Sequence, residues 1–103
     1  MGTLVIVAYR PKPGCAQALI DLVSEHVPYL RGLGLVTARP AQAMLAADGT
    51  VIEVFEWAEG GIEAAHRIPQ VAQLWDRFSA VCDYLPLSQL PEAASLFAEF
   101  RPL

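Results

Sequence analysis

The feature that most constrains this chain is a pair of strand-like runs that are apolar on both sides. In Thr3 to Tyr9, "TLVIVAY", Leu4, Ile6 and Ala8 fall on one side and Val5, Val7 and Tyr9 on the other. A strand alternates its side chains between two faces, and one that met water on one face would alternate apolar with polar. "VIEVFEW", Val51 to Trp57, repeats the pattern: Ile52 and Val54 on one side, Val51, Phe55 and Trp57 on the other, with Glu53 among the latter. A sheet built from such strands needs cover on both faces. Composition agrees, with 54% hydrophobic and 17% charged residues in 103, against about 45–50% and about 25% in ordinary domains. A chain of this length forms one domain, residues 1–103, around one core. The excess of apolar surface predicts self-association.

The connecting segments read as turns and helices. "RPKPG" ends the first strand, because Pro11 and Pro13 cannot continue a ladder. From Cys15 to Arg31 the apolar period becomes helical, with Leu19, Leu22, Val23, His26 and Leu30 on one stripe and Gly32 as a stop signal. Leu35 to Ala46 is extended and interrupted by Pro40, which suits an edge strand. "AADGT" predicts a hairpin with a type I′ turn at Asp48-Gly49, leading into the strand Val51–Trp57. "AEGGI" opens a helical region that Pro69 restarts, and Val71, Leu74, Trp75, Phe78 and Val81 form its stripe. A proline-broken connection follows, and alternation predicts a last strand over Ser95 to Phe100. The expected order is β-α-β-β-α-β: an α+β, ferredoxin-like domain with a four-stranded antiparallel sheet and both helices on one face. The bare face would then be covered by a two-fold partner, giving a homodimer.

Charge and motifs exclude several functions. The net charge is −4 and the basic residues do not cluster beyond Arg10 and Lys12, so nucleic acid is not an expected partner. Cys15 and Cys82 form no CxxC and read as reduced thiols. His26, His66 and the cysteines lack metal-ligand spacing, so no metal is expected. There is no phosphate-binding glycine loop, no dinucleotide fingerprint and no nucleophile elbow. No run approaches the ~20 apolar residues of a membrane span, and "TLVIVAY" is too short for a signal sequence. A cytoplasmic protein is the expectation.

"YRPKPG", "DGTVIEVFEWAE", "AAH" before a proline, and "VAQLWDRF" occur in an order and spacing that resemble the dimeric α/β-barrel superfamily, specifically the antibiotic-biosynthesis-monooxygenase type of domain. The resemblance covers nearly the whole chain. It implies two ferredoxin-like protomers packed sheet to sheet, each with a pocket between its sheet and its helices or loops. It also implies cofactor-independent oxygenation of an aromatic or polyketide-like substrate. The haem-degrading branch of that family pairs a Trp at this strand's end with a His on the next helix, which Trp57 and His66 resemble. That branch also uses an Asn in the first strand, and this chain has no Asn. The other functional readings are a non-catalytic dimeric binding or stress-response module and, because related barrels do several chemistries on one frame, an isomerase-like or lyase-like enzyme.

Candidate site residues follow. Glu53, expected to point away from the helices with Arg39 as a possible partner, is a candidate general base, with a structural buried pair as the competing reading. His66 is a candidate proton shuttle or a packing residue. Tyr9, Arg39, Trp57, Trp75 and Phe78 are candidate substrate contacts, although their spacing equally suits core. His26, on an apolar stripe, reads as a satisfied core or pocket-edge histidine.

Overall fold

The computed structural model describes residues 2–103. Eight regular elements follow in order: β1 (Thr3–Pro11), α1 (Ala16–Gly32), β2 (Gln42–Leu45), β3 (Val51–Trp57), α2 (Gly61–Ala65), α3 (Pro69–Val81), β4 (Cys82–Leu85) and β5 (Arg101–Pro102). Two 3-10 turns, Leu87–Gln89 and Pro91–Ala94, lie between the last two strands. The strands form one five-stranded sheet in the order β4-β1-β3-β2-β5, and every pairing is antiparallel. This is an α+β fold with an open sheet, compatible with the expected ferredoxin-like pattern but carrying a fifth strand. Among the described residues no helix is long and apolar enough to cross a membrane.

The helices form where the apolar period places them. α1 buries Leu19, Leu22, Val23, His26, Val27 and Leu30. α3 starts with Pro69 in its first turn, where the missing N–H costs nothing, and buries Val71, Leu74 and Phe78. Both pack on the sheet face that carries Tyr9, Val51, Phe55 and Trp57. Gly60 and Gly61 make the bend before α2 possible. Gly60 has φ 74°, and a Cβ at Gly61 would collide with the Leu35 carbonyl.

Three local expectations change. The hairpin turn is not type I′, which needs positive φ at both central residues. Only Gly49 has positive φ here, at 90°. Its N–H donates to the Ala46 carbonyl at 3.1 Å, and Ala46 N–H donates to the Thr50 carbonyl at 2.9 Å. That is a three-residue loop ending in a left-handed glycine. Asp48 Oδ1 accepts from Thr50 N–H at 2.9 Å, so the aspartate serves as a local acceptor instead of adopting positive φ.

The last strand is also displaced. The edge beside β1 is taken by Cys82–Leu85, which turns extended directly after α3 (Cys82 φ −151°, ψ 167°) and pairs Tyr84 with Tyr9. Pro86 follows it. Ser95 to Phe100, expected as a strand, has no ladder, and Leu96 and Phe97 are 99% and 86% exposed. Alternation there came from residues that find no partner strand. Only Arg101–Pro102 pairs, with Leu45 and Met44 on the opposite edge, so the four-stranded expectation becomes five.

The outer face is apolar, as expected, and the chain covers part of it. Leu90 and Phe100 pack on Ala8, Ala46 and Ile52. Leu4 and Ile6 stay 57% and 52% exposed.

Candidate functional site

Glu53 stands in the middle strand, opposite Val7 of β1 and Ala43 of β2. It points toward the helices, not away from them, and is 1% exposed. Two donors meet on one of its oxygens. Tyr9 Oη donates to Oε1 at 2.8 Å, and His26 Nδ1 lies 2.8 Å from the same atom. Tyr9 reaches it because residues diagonal across an antiparallel pair remain within range of a long side chain. His26 reaches it because α1 lays that stripe over β3. Arg39, the expected partner, pairs instead with Glu56 at 3.3 Å. Tyr9 and His26 on the helix side, not Arg39, are the groups that bond Glu53.

The proton positions follow from the donor inventory. An indole N–H can only donate. Trp75 Nε1 is 3.4 Å from His26 Nε2, so Nε2 carries the lone pair and Nδ1–H donates to Glu53. In that tautomer Glu53 Oε1 accepts twice, from Tyr9 and from His26. Burial, then the Glu53 charge and the bond to it, push the Tyr9 hydroxyl far above the usual phenol range. Tyr84, 5.5 Å from Tyr9 in an edge-on ring contact, is pushed up to about 12, mainly by burial.

Above this cluster is a cleft of about 420 Å³, lined by Val5, Val7, Tyr9, His26, Phe55, Trp57, Trp75, Ser79 and Tyr84. Aromatic walls around a few polar groups are the usual make-up of a small-molecule site, and the volume falls in the usual range. A larger depression of about 680 Å³ runs between α1 and α3. Its lining is mostly exposed polar side chains and includes none of the candidate residues, so the smaller cleft is the better site on chemical grounds.

The sequence-predicted residues separate into three groups. Tyr9, Trp57 and Trp75 line the cleft together. Phe78 lies behind it, fully buried, with its ring 5.2 Å from Tyr9 and 4.9 Å from His26, so it supports the site without lining it. Arg39 and His66 stand outside. His66 is exposed, and its Nδ1 lies 2.7 Å from its own helix's Ile62 carbonyl. Its ring meets that of Trp75 edge-on, with centroids 5.2 Å apart. His26, read as a satisfied buried histidine, does have that role and also contacts the cleft. Tyr84 was hidden in the proline-broken stretch, where no strand was expected. Among the described residues no group of three or more His, Cys, Asp or Glu could hold a metal.

Comparison with family models, with curated proteins and with solved structures gave no match.

Proposed function

We propose that this protein binds a small, flat, largely apolar molecule in the aromatic cleft. The observation that carries this reading is the convergence of Tyr9, Trp57, Trp75 and Tyr84 over a buried His26–Glu53 pair. Rings on the walls offer stacking, and a substrate hydroxyl that displaces the long Trp75 N–H contact, 3.4 Å, would meet the His26 Nε2 lone pair at the cleft edge. The dimeric α/β-barrel reading belongs to the same proposal. A second copy would cover Leu4 and Ile6 sheet to sheet, making a homodimer of the antibiotic-biosynthesis-monooxygenase type.

The paired histidine and carboxylate favour a catalytic form over a purely binding one. A buried acceptor on Nδ1–H fixes the imidazole and stabilises the imidazolium that proton uptake creates. His26, rather than Glu53 or His66, is then the base, and Glu53 is its positioning residue. For a phenolic substrate, His26 takes the hydroxyl proton and the resulting phenolate passes electrons to O₂. One oxygen atom enters the ring to give a quinone, and the other leaves as water with the two hydrogens lost.

1-Naphthol is a suitable probe. We expect saturable quenching of tryptophan fluorescence that falls at least tenfold in affinity in Trp75→Leu. Oxygen uptake should be lost in His26→Gln while binding persists. Absence of saturable binding in the wild type defeats the whole reading. Binding without oxygen uptake defeats the catalytic form and leaves the non-catalytic binding module.

A further inference from the structure

Glu53 also faces a second cavity. A cleft of about 540 Å³ lies between α1 and β2, on the other side of the carboxylate, with apolar walls that include Ile20, Val23, Val27 and Ala43. Glu53 is its buried polar group. Oε1 is occupied by Tyr9 and His26, whereas Oε2 accepts no hydrogen bond from any described residue. Oε2 is also not among the fully enclosed atoms without a partner, which are Thr50 Oγ1 and Glu92 Oε1, so it keeps access to the cleft.

The charge is as incomplete as the hydrogen bonding. Tyr9 and, in the tautomer that accepts from Trp75, His26 donate hydrogen bonds to Oε1 and bring no fixed charge. Among the described residues no Lys or Arg nitrogen lies within ion-pair distance of Glu53. Arg31 also lines the cleft, but its guanidinium is committed to the carbonyls of Thr37 at 3.0 Å and Arg39 at 2.9 Å. A buried carboxylate without a cation is costly, and an ammonium placed beside it in an apolar cavity recovers much of that cost.

We propose that the α1–β2 cleft is a second ligand site, taking a small apolar primary amine whose ammonium sits on Glu53 Oε2. Its hydrocarbon body lies against Val23, Val27 and Ala43. The site does not depend on the aromatic cleft holding a ligand. Because both clefts share one carboxylate, an ammonium on Oε2 draws charge from Oε1 and weakens the support that Glu53 gives His26.

Benzylamine and benzyl alcohol share one apolar body and differ in charge, so titration calorimetry of the full chain at neutral pH tests the site. We expect benzylamine to bind at least tenfold tighter than benzyl alcohol. Glu53→Gln retains an oxygen that can accept from Tyr9 and His26 and should erase that difference. Ser24→Trp, on an exposed residue at the cleft lip, should abolish benzylamine binding and leave 1-naphthol binding unchanged. It keeps the test decisive if Glu53→Gln does not fold. Equal affinities for the two probes, no saturable benzylamine binding, or benzylamine binding that survives Ser24→Trp overturns the proposal. Failure of 1-naphthol to bind touches only the aromatic cleft.

Discussion

The two faces of this sheet come from the same strands, one residue out of step, and they are finished in opposite ways. On the helix side, Tyr9 and Glu53 bring polar atoms into a closed core, and His26 completes their bonding. On the outer side the central strands contribute Leu4, Ile6, Ala8, Ile52 and Val54, and their polar members there, Arg10 and Glu56, stand toward the strand ends. There the chain's own Leu90 and Phe100 cover only one end. The polar groups of the helix face bond one another through Glu53 Oε1 within one protomer. The apolar face keeps Leu4 and Ile6 exposed, and it is the face on which a second copy would pack in the proposed dimer.

The comparison breaks first at Glu53. Replacing it with Ala leaves the Tyr9 hydroxyl and the His26 Nδ1–H buried without an acceptor and opens a cavity. The expected cost is about 3–5 kcal/mol, the range for losing one partner of a buried pair. Ile52→Ala is the matching change on the outer face, at the end covered by Leu90 and Phe100. It removes only packing and should cost about 2–4 kcal/mol. Urea unfolding of both variants with unchanged m-values measures the difference. If Glu53→Ala is the milder of the two, the polar cluster does not hold the helix face together.

An intermediate effect is expected at high pH, and it acts on the helix face alone. Cys82 is pushed from an ordinary 9.0 up to about 11, mainly by burial, with Asp83 adding to the shift and Lys12 opposing it. Tyr84 moves from 10.0 up to about 12, and Tyr9 moves further in the same direction. These groups are neutral when protonated, and folding favours that neutral form. Their contribution is complete below the unfolded values and is lost as pH rises through the folded ones. Stability should therefore decline from about pH 9 upward. Thermal midpoints measured across that range should fall less steeply in Tyr9→Phe than in the wild type. A flat profile in the wild type would show that the cleft tyrosines ionise as freely as in an unfolded chain.

The difference between the faces also explains what was legible in the sequence. Periodicity gave α1, the restart of α3 at Pro69, the hairpin and both central strands, because each follows from local sterics and an apolar stripe. It also placed Glu53 on the same side as Val51, Phe55 and Trp57. It could not say which side the helices take, because both sides of these strands are apolar, so Glu53 was aimed the wrong way. Its partners were hidden for the same reason. Tyr9 and His26 stand 44 and 27 residues away along the chain, and only the packing of α1 over β3 brings them together. A clue was present in His26, a polar residue on an apolar stripe, which needed a buried partner. β4 was missed because four residues, Cys82–Leu85, are too few to show alternation, whereas Ser95–Phe100 alternates without forming a strand.

The smallest expected effect on the folded protomer sharpens the comparison most. Ile6 lies at the bare end of the outer face and is half exposed. Ile6→Ser should therefore change the stability of a single protomer by no more than about 0.5 kcal/mol, as for most surface substitutions. Association should respond quite differently. If two copies share this face, each Ile6 is buried in the pair, and the polar hydroxyl meets an apolar partner surface. Sedimentation equilibrium should then show the dimer dissociating at protein concentrations where the wild type remains paired. The wild-type melting temperature should rise with protein concentration, because binding between folded copies stabilises them by mass action, and that rise should disappear in Ile6→Ser. A wild type that sediments as a protomer at every concentration would leave the outer face bare in solution and remove the barrel from the proposal. The bonds of Tyr9 and His26 to Glu53, which lie within one chain, would be unaffected.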